Sequence, residues 1–356
     1  MMYLLLAAGI FMGWSLGTND AANAFGTAVS TGVVKYRTAT IIIAVFVVIG
    51  AALLGAGNME SVNDLAINNA VIPSTEAAEE MIAKGANNLA LRSAIKACIV
   101  FFSAGFTVFL MSYLKFPVSA NQSITGAIIG WGLVNANYKD PTVLSGNLKQ
   151  ILKFASTWLL CPLGAAVISF IIIKLAQKFL IPKLSSLSYY DTMIKVGYLL
   201  AGSYASFSIG MNSSANVTSL YFGEKVGEIS TNLLSNATLT CIIGGIAIAF
   251  GVLTYSKKVM LTVGESIAPL TQIEGFLVII AMASTIVLLG TVMKIPVSTS
   301  QAVVGAVVGA GLTKGFRCVN YGVFKNIAIA WVSSPLMAGL VTYLLALASK
   351  HFFNLV

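Results

Sequence analysis

Apolar stretches long enough to cross about 30 Å of hydrocarbon recur along this chain from end to end, and no other feature restricts its fold as much. Thr40 to Gly57, Ile95 to Leu114, Trp158 to Leu175, Leu233 to Leu253, Phe276 to Met293 and Ile327 to Ala348 are nearly free of charge. Charged residues make up 9% of the 356 positions, against about 25% in a soluble domain. A chain this long and this poor in charge cannot cover a water-facing surface. The expected class is an all-α polytopic membrane protein.

The apolar start, Met1 to Trp14, has no basic stretch before it, so it is expected to stay as a first helix. The net charge of +9 comes from Lys and Arg scattered through loops. Membrane topology explains that pattern better than nucleic acid does, and nucleic acid is not an expected partner. Cys98, Cys161, Cys241 and Cys318 lie far apart, mostly in apolar segments, as structural cysteines do. His351, the single histidine, sits in the tail and carries no expected role.

Two motifs occur twice, in the same order. Gly17-Thr-Asn19-Asp20-Ala-Ala-Asn23 is echoed by Gly210-Met-Asn212-Ser213-Ser-Ala-Asn216. Lys115-Phe-Pro117-Val-Ser119-Ala-Asn121-Gln122 is echoed by Lys294-Ile-Pro296-Val-Ser298-Thr299-Ser300-Gln301. Each second motif runs into glycine-spaced apolar sequence, Ile124 to Gly130 and Val303 to Gly309. The expected division is repeat 1 over residues 1–180 and repeat 2 over 190–356, with a polar loop from Asn58 to Leu91 lengthening the first.

Charge placement suggests the orientation of the two halves. With the N-terminus outside, three crossings and one re-entrant hairpin per half put Lys35, Arg37, Lys174, Lys178, Lys183 and Lys195 inside. Lys257, Lys258, Lys314, Arg317 and Lys325 then also fall inside, and the acidic loop with Glu60, Asp64, Glu76, Glu79 and Glu80 falls outside, with Glu224 and Glu228. Lys139 and Lys149 are exceptions on the outer side. Three crossings start the second half on the opposite face. The expected architecture is therefore two inverted-topology repeats with broken helices, whose substrate site lies at their interface. The re-entrant helical hairpins are expected over Arg92–Asn135 and Glu274–Thr313, with tips at Lys115–Gln122 and Lys294–Gln301. Irregular backbone at that depth is tolerated only where it lines a cavity or is buried in protein.

The motifs have a chemistry of their own. Proline interrupts what precedes it, and Ser119 and Ser298 are good N-caps for the helices that follow. A helix start offers free N–H groups and the positive end of its dipole to an anion. Ser119, Asn121, Gln122 and Ser123 add donors in one copy, and Ser298, Thr299, Ser300 and Gln301 in the other. Two such starts converging would surround a tetrahedral oxyanion. Asn19 and Asn23 share a helix face with Asp20 between them, in a run from Met1 to Val34 otherwise without charge. A carboxylate there marks an ion or substrate path. With Asn212 and Asn216, and carbonyls freed by a break at the glycine, it offers hard oxygens to a small cation such as sodium. A polar knot joining helices is the plainer reading of the asparagines. Lys115 and Lys294 either attract the anion or snorkel toward water.

Gly17-Thr-Asn-Asp-Ala-Ala-Asn-Ala-Phe-Gly-Thr27 and Pro296-Val-Ser-Thr-Ser-Gln301 resemble the inorganic phosphate transporter (PiT) family of sodium- or proton-coupled symporters. The resemblance spans nearly the whole chain. It implies phosphate import by symport through alternating access, in a multi-pass protein of the cell (plasma) membrane. It maps Asp20, Asn19 and Asn23 to the signature and the Ser119 and Ser298 clusters to the phosphate-contacting tips. The partners it implies are inorganic phosphate, a coupling cation (sodium, or a proton) and the bilayer, with a homodimer as a possible assembly. This chain departs from the family's pattern at Ser213, where an aspartate is usual, at Gln122 and Gln301, and at Val47 and Ile279 in place of acidic residues. Some relatives' long cytoplasmic loop is also missing. Sulfate transport by the same fold and a passive anion channel stay open. Phosphate usually keeps a proton near neutral pH and wants one acceptor, whereas sulfate wants donors only, and Asp20 is the carboxylate able to accept. No nucleophile–base pair or metal cluster points to an enzyme.

Overall fold

The computed structural model describes residues 2–72, 89–114, 118–135, 141–183, 187–221, 236–262 and 268–353. In the first half α1 (Met2–Ser30), α2 (Tyr36–Leu54), the short α3 (Met59–Asn68), α4 (Leu89–Tyr113), α5 (Ala120–Asn135) and α6 (Pro141–Phe179) follow one another. The second half gives α7 (Leu187–Thr218), α8 (Ala237–Tyr255), the short α9 (Lys257–Thr262), α10 (Gln272–Met293), α11 (Thr299–Lys314) and α12 (Tyr321–Phe353). Among the described residues, six stretches are long and apolar enough to cross a membrane, and α2, α4, α6, α8, α10 and α12 supply most of them. Their outer faces agree: Ile41, Val45, Ile49 and Leu53 form an exposed stripe at four-residue spacing along α2. Leu336, Leu340 and Leu344 do the same on α12. Such stripes suit lipid and would be unstable in water. The molecule is a multi-pass membrane protein.

Contacts fix the relative directions of the helices. Phe11 stacks on Phe102 with ring centroids 5.7 Å apart, Trp14 meets Phe109 at 5.5 Å, and Asn19 bonds Ser112, so α1 and α4 run parallel. Tyr198 meets Phe276 at 6.0 Å and Met211 lies beside Gly290, so α7 and α10 run parallel too. Between the halves, Gly13 faces Val217, Asp20 faces Ser213 and Phe25 faces Gly202, so α1 and α7 are antiparallel.

The packing crosses between the halves. α5 lies against α12, and α11 against α6, in matching fashion. The seams are made by glycine: a Cβ on Gly305 would stand 2.2 Å from the Pro162 carbonyl oxygen of α6, and one on Gly126 the same 2.2 Å from that of Pro335 in α12. Only a residue without a side chain lets two backbones approach so closely.

Two sequence expectations are corrected here. The segment Asn58 to Leu91 is not all loop, because Met59–Asn68 is helical and its Met59, Val62, Leu65 and Ala66 are buried. α3 is pinned to α6 by Asn69 Nδ2 donating to Asn147 Oδ1 (2.6 Å) and by Asn147 Nδ2 donating to Asn68 O (3.1 Å). The expected break at Gly17 is also absent: α1 is one helix from Met2 to Ser30, so no backbone carbonyl is released there. That glycine serves an approach instead, since a Cβ on it would lie 2.0 Å from Ile248 O of α8. Of the expected hairpin tips, Lys115, Phe116 and Pro117 lie outside the described residues, as do Glu76, Glu79, Glu80, Glu224, Glu228 and Lys139.

Candidate functional site

Because α1 and α7 cross antiparallel, their repeated asparagine motifs meet face to face, and the starts of α5 and α11 arrive at the same level. All of the predicted site residues are buried, none more than 5% exposed. Water is therefore largely excluded from the polar cluster, and each donor and acceptor must find a partner within it or from a bound ion.

Asp20 is the hub. Its Oδ1 accepts from the Thr299 hydroxyl (2.8 Å) and from Asn23 Nδ2 (3.2 Å), and its Oδ2 accepts from the Ser213 hydroxyl (3.4 Å). Asn23 Nδ2 also reaches Thr299 Oγ1 at 3.4 Å. One carboxylate thus joins α1, the first turn of α11 and α7. On the other side Asn216 of α7 donates to the Asn121 carbonyl in the first turn of α5. One expected oxyanion donor, Thr299, is therefore bonded to the expected cation ligand Asp20, and another, Asn121, to Asn216.

The caps form as expected. Ser298 Oγ accepts from Gln301 N–H at 3.2 Å and pairs with Ser300 Oγ at 3.2 Å. Ser119 Oγ accepts from Gln122 N–H at 3.4 Å, and Ser123 Oγ donates to the Ser119 carbonyl at 3.2 Å. Two asparagines behave differently from the rest. Asn212 grips the backbone of Val297 from both sides, its Nδ2 donating to the carbonyl and its Oδ1 accepting from the N–H, each at 2.7 Å. Both ends of that amide are engaged in holding the tip. Asn19 Nδ2 donates to Ser112 Oγ of α4 at 2.9 Å.

Several groups lack a partner among the described residues: Gln122 Oε1, Gln301 Oε1, Asn216 Oδ1 and Asn121 Nδ2. Three of the four are acceptors, in a place where an unmatched buried polar atom costs roughly 1–3 kcal/mol. For a small cation the fit lies at Asp20, where a carboxylate, two hydroxyl oxygens and an amide side chain gather. Ser112 and Ser213 were not foreseen as site residues. Ser213 had a signal, since it occupies the duplicate of Asp20; Ser112 had none, being one hydroxyl on a long apolar helix.

The sequence pattern of the phosphate transporter family matches residues 16–342, a span that contains every one of these groups. This chain belongs to that family. The family is one of transporters, not enzymes. Its similar members include the "Putative phosphate permease" of Pyrococcus furiosus, 26% identical over 411 aligned residues that cover 96% of this chain and 94% of that protein. The sulfate permease CysP of Bacillus subtilis is 25% identical over 337 residues, covering 94% of this chain and 84% of that protein. Among solved structures, one named "The sodium-dependent phosphate transporter" superposes with a TM-score of 0.77 at 24% identity, over 99% of this chain and all of that one. The family fold is thus present from end to end.

Proposed function

We propose that the protein imports inorganic phosphate across the cell membrane by symport with a cation, sodium, through alternating access between two inverted repeats, residues 1–180 and 190–356. The observation that carries this reading is the contact of Asp20 with Thr299 (2.8 Å), which ties the buried carboxylate to an anion-binding helix start. An ion bound at Asp20 and an oxyanion bound at the starts of α5 and α11 would stabilise one another. That mutual stabilisation is the basis of coupling.

In this reading Asp20, Asn23 and the Ser213 hydroxyl hold the cation, and Asn19 sets the position of α4 through Ser112. Ser119, Asn121, Gln122, Ser123, Ser298, Thr299, Ser300 and Gln301 surround the anion. Asn212 orients the second tip and Asn216 links α7 to the first. Hard oxygens suit sodium, and sodium is the cation in the name of the structurally similar transporter. The antiparallel crossing of α1 and α7 supports inversion of the repeats.

Sulfate is the second reading, favoured by the likeness to the sulfate permease. The unpartnered carbonyls of Gln122, Gln301 and Asn216 speak for phosphate, because a P–OH group can donate to them and sulfate has no proton to give. Radiolabelled phosphate uptake into proteoliposomes, with and without an inward sodium gradient and with sulfate as competitor, tests both. Sodium-driven uptake indifferent to sulfate is expected. Suppression by sulfate overturns the substrate, and uptake driven by protons alone overturns the cation.

A further inference from the structure

Lys294 ends α10, and its backbone is held in an unusual state. Its φ of 52° places it in the left-handed region, where glycine is comfortable and a lysine is not. Its N–H donates to Gly290 O at 3.0 Å, and its carbonyl accepts from Ser61 Oγ at 2.5 Å. Ser61 itself accepts from Lys153 Nζ at 3.2 Å. The short helix α3 thereby latches the second tip, and the strained residue is fixed from both sides. A long cationic side chain at a position suited to glycine asks for a reason in the side chain.

Lys294 lines a surface-open cavity of about 310 Å³ together with Asn58, Glu60, Met211, Gly290 and Thr291. The volume equals that of about ten waters, enough for a tetrahedral anion and part of its hydration shell. Met211, which also lines it, precedes the Asn212 that grips Val297, so the cavity adjoins the tip Ile295–Ser298. The cavity sits at the end of α2 opposite Lys35 and Arg37. Among the described residues the Lys294 ammonium pairs with no carboxylate.

We propose that this cavity is a capture site for tetrahedral oxyanions, in which the Lys294 ammonium, with the Asn58 amide and Thr291 hydroxyl, holds the anion before the second tip admits it. The proposal rests on the oxyanion-transport reading given above. Glu60 on the same wall repels the fully ionised anion and can accept a hydrogen bond from a P–OH group.

The test is phosphate uptake by the full-length protein in proteoliposomes. Lys294→Ala is expected to raise KM about tenfold with kcat unchanged, and Lys294→Arg to keep KM near that of the unmodified protein. Added salt should raise the unmodified protein's KM toward that of Lys294→Ala and leave the variant's KM in place, because it screens the same charge. Lys294→Gly removes the charge while relaxing the backbone, and should match Lys294→Ala. A normal KM in Lys294→Ala overturns the capture site, as does recovery by glycine but not by arginine. If the unmodified protein takes up neither phosphate nor sulfate, the function reading falls and the capture site with it. A deficit confined to the uncharged Lys294 variants supports the capture site.

Discussion

The two asparagine motifs share one sequence pattern but differ in what they touch. On α1 the motif carries a carboxylate that gathers three donors, from Thr299, Asn23 and Ser213. On α7 the matching position is Ser213, which has no charge and becomes one of those donors. Asn212 clasps the backbone of the second tip, whereas its counterpart Asn19 meets only the hydroxyl of Ser112. One copy carries the charge and the other holds the second tip in place. The lesson is that a repeated motif marks a shared place in the fold, while the local partners decide what each copy does there.

Six substitutions would break or sharpen this contrast. Asp20→Asn should have the largest effect, removing gradient-driven uptake while the protein still elutes as a folded species by size exclusion. Preserved sodium dependence would take Asp20 out of the coupling. Asn212→Ala leaves the Val297 N–H and carbonyl without partners, a loss of about 2–4 kcal/mol that a thermal melt in detergent will register. Asn19→Ala should cost only about 1 kcal/mol, because Ser112 keeps its bond to Val108 O; equal losses would erase the asymmetry. Ser213→Asp puts a second carboxylate against Asp20 and should make the sodium dependence of uptake steeper and more sigmoidal. An unaltered sodium curve would show that the α7 motif lies outside the cation site. Smallest of all, Ser298→Ala and Ser119→Ala each remove a helix cap, for about 1 kcal/mol, and should raise KM about fivefold. Unchanged half-saturation in both would remove the helix starts from the substrate site.

Much of this was legible in the residues because the bilayer imposes strong rules. A lone carboxylate in an otherwise uncharged run announced Asp20, and its burial follows from the same apolar surroundings that made it conspicuous. Proline followed by Ser119 or Ser298 announced two helix starts, and both caps formed. What sequence hid was pairing. Asn212 looked like a cation ligand because its type and spacing match Asn19, and only three-dimensional proximity to Val297 shows its amide engaged at both ends. The glycine at position 17 suggested a break because glycine weakens helices, yet here it permits the approach of α8. α3 did leave a trace: Met59, Val62, Leu65 and Ala66 recur at helical spacing within a segment that composition alone reads as polar loop.

The glycine seams that join α11 to α6 and α5 to α12 also bear on the order in which the chain is made. When α11 emerges during synthesis, the groove of α6 that receives Gly305 already exists. For α5 the order is reversed: the surface that seats Gly126 belongs to Tyr321–Phe353, so α5 must wait for that later helix before its packing is complete. Truncation before Tyr321 should therefore leave α5 open to protease and α11 docked. A helix of the second half thus completes the seating of one from the first.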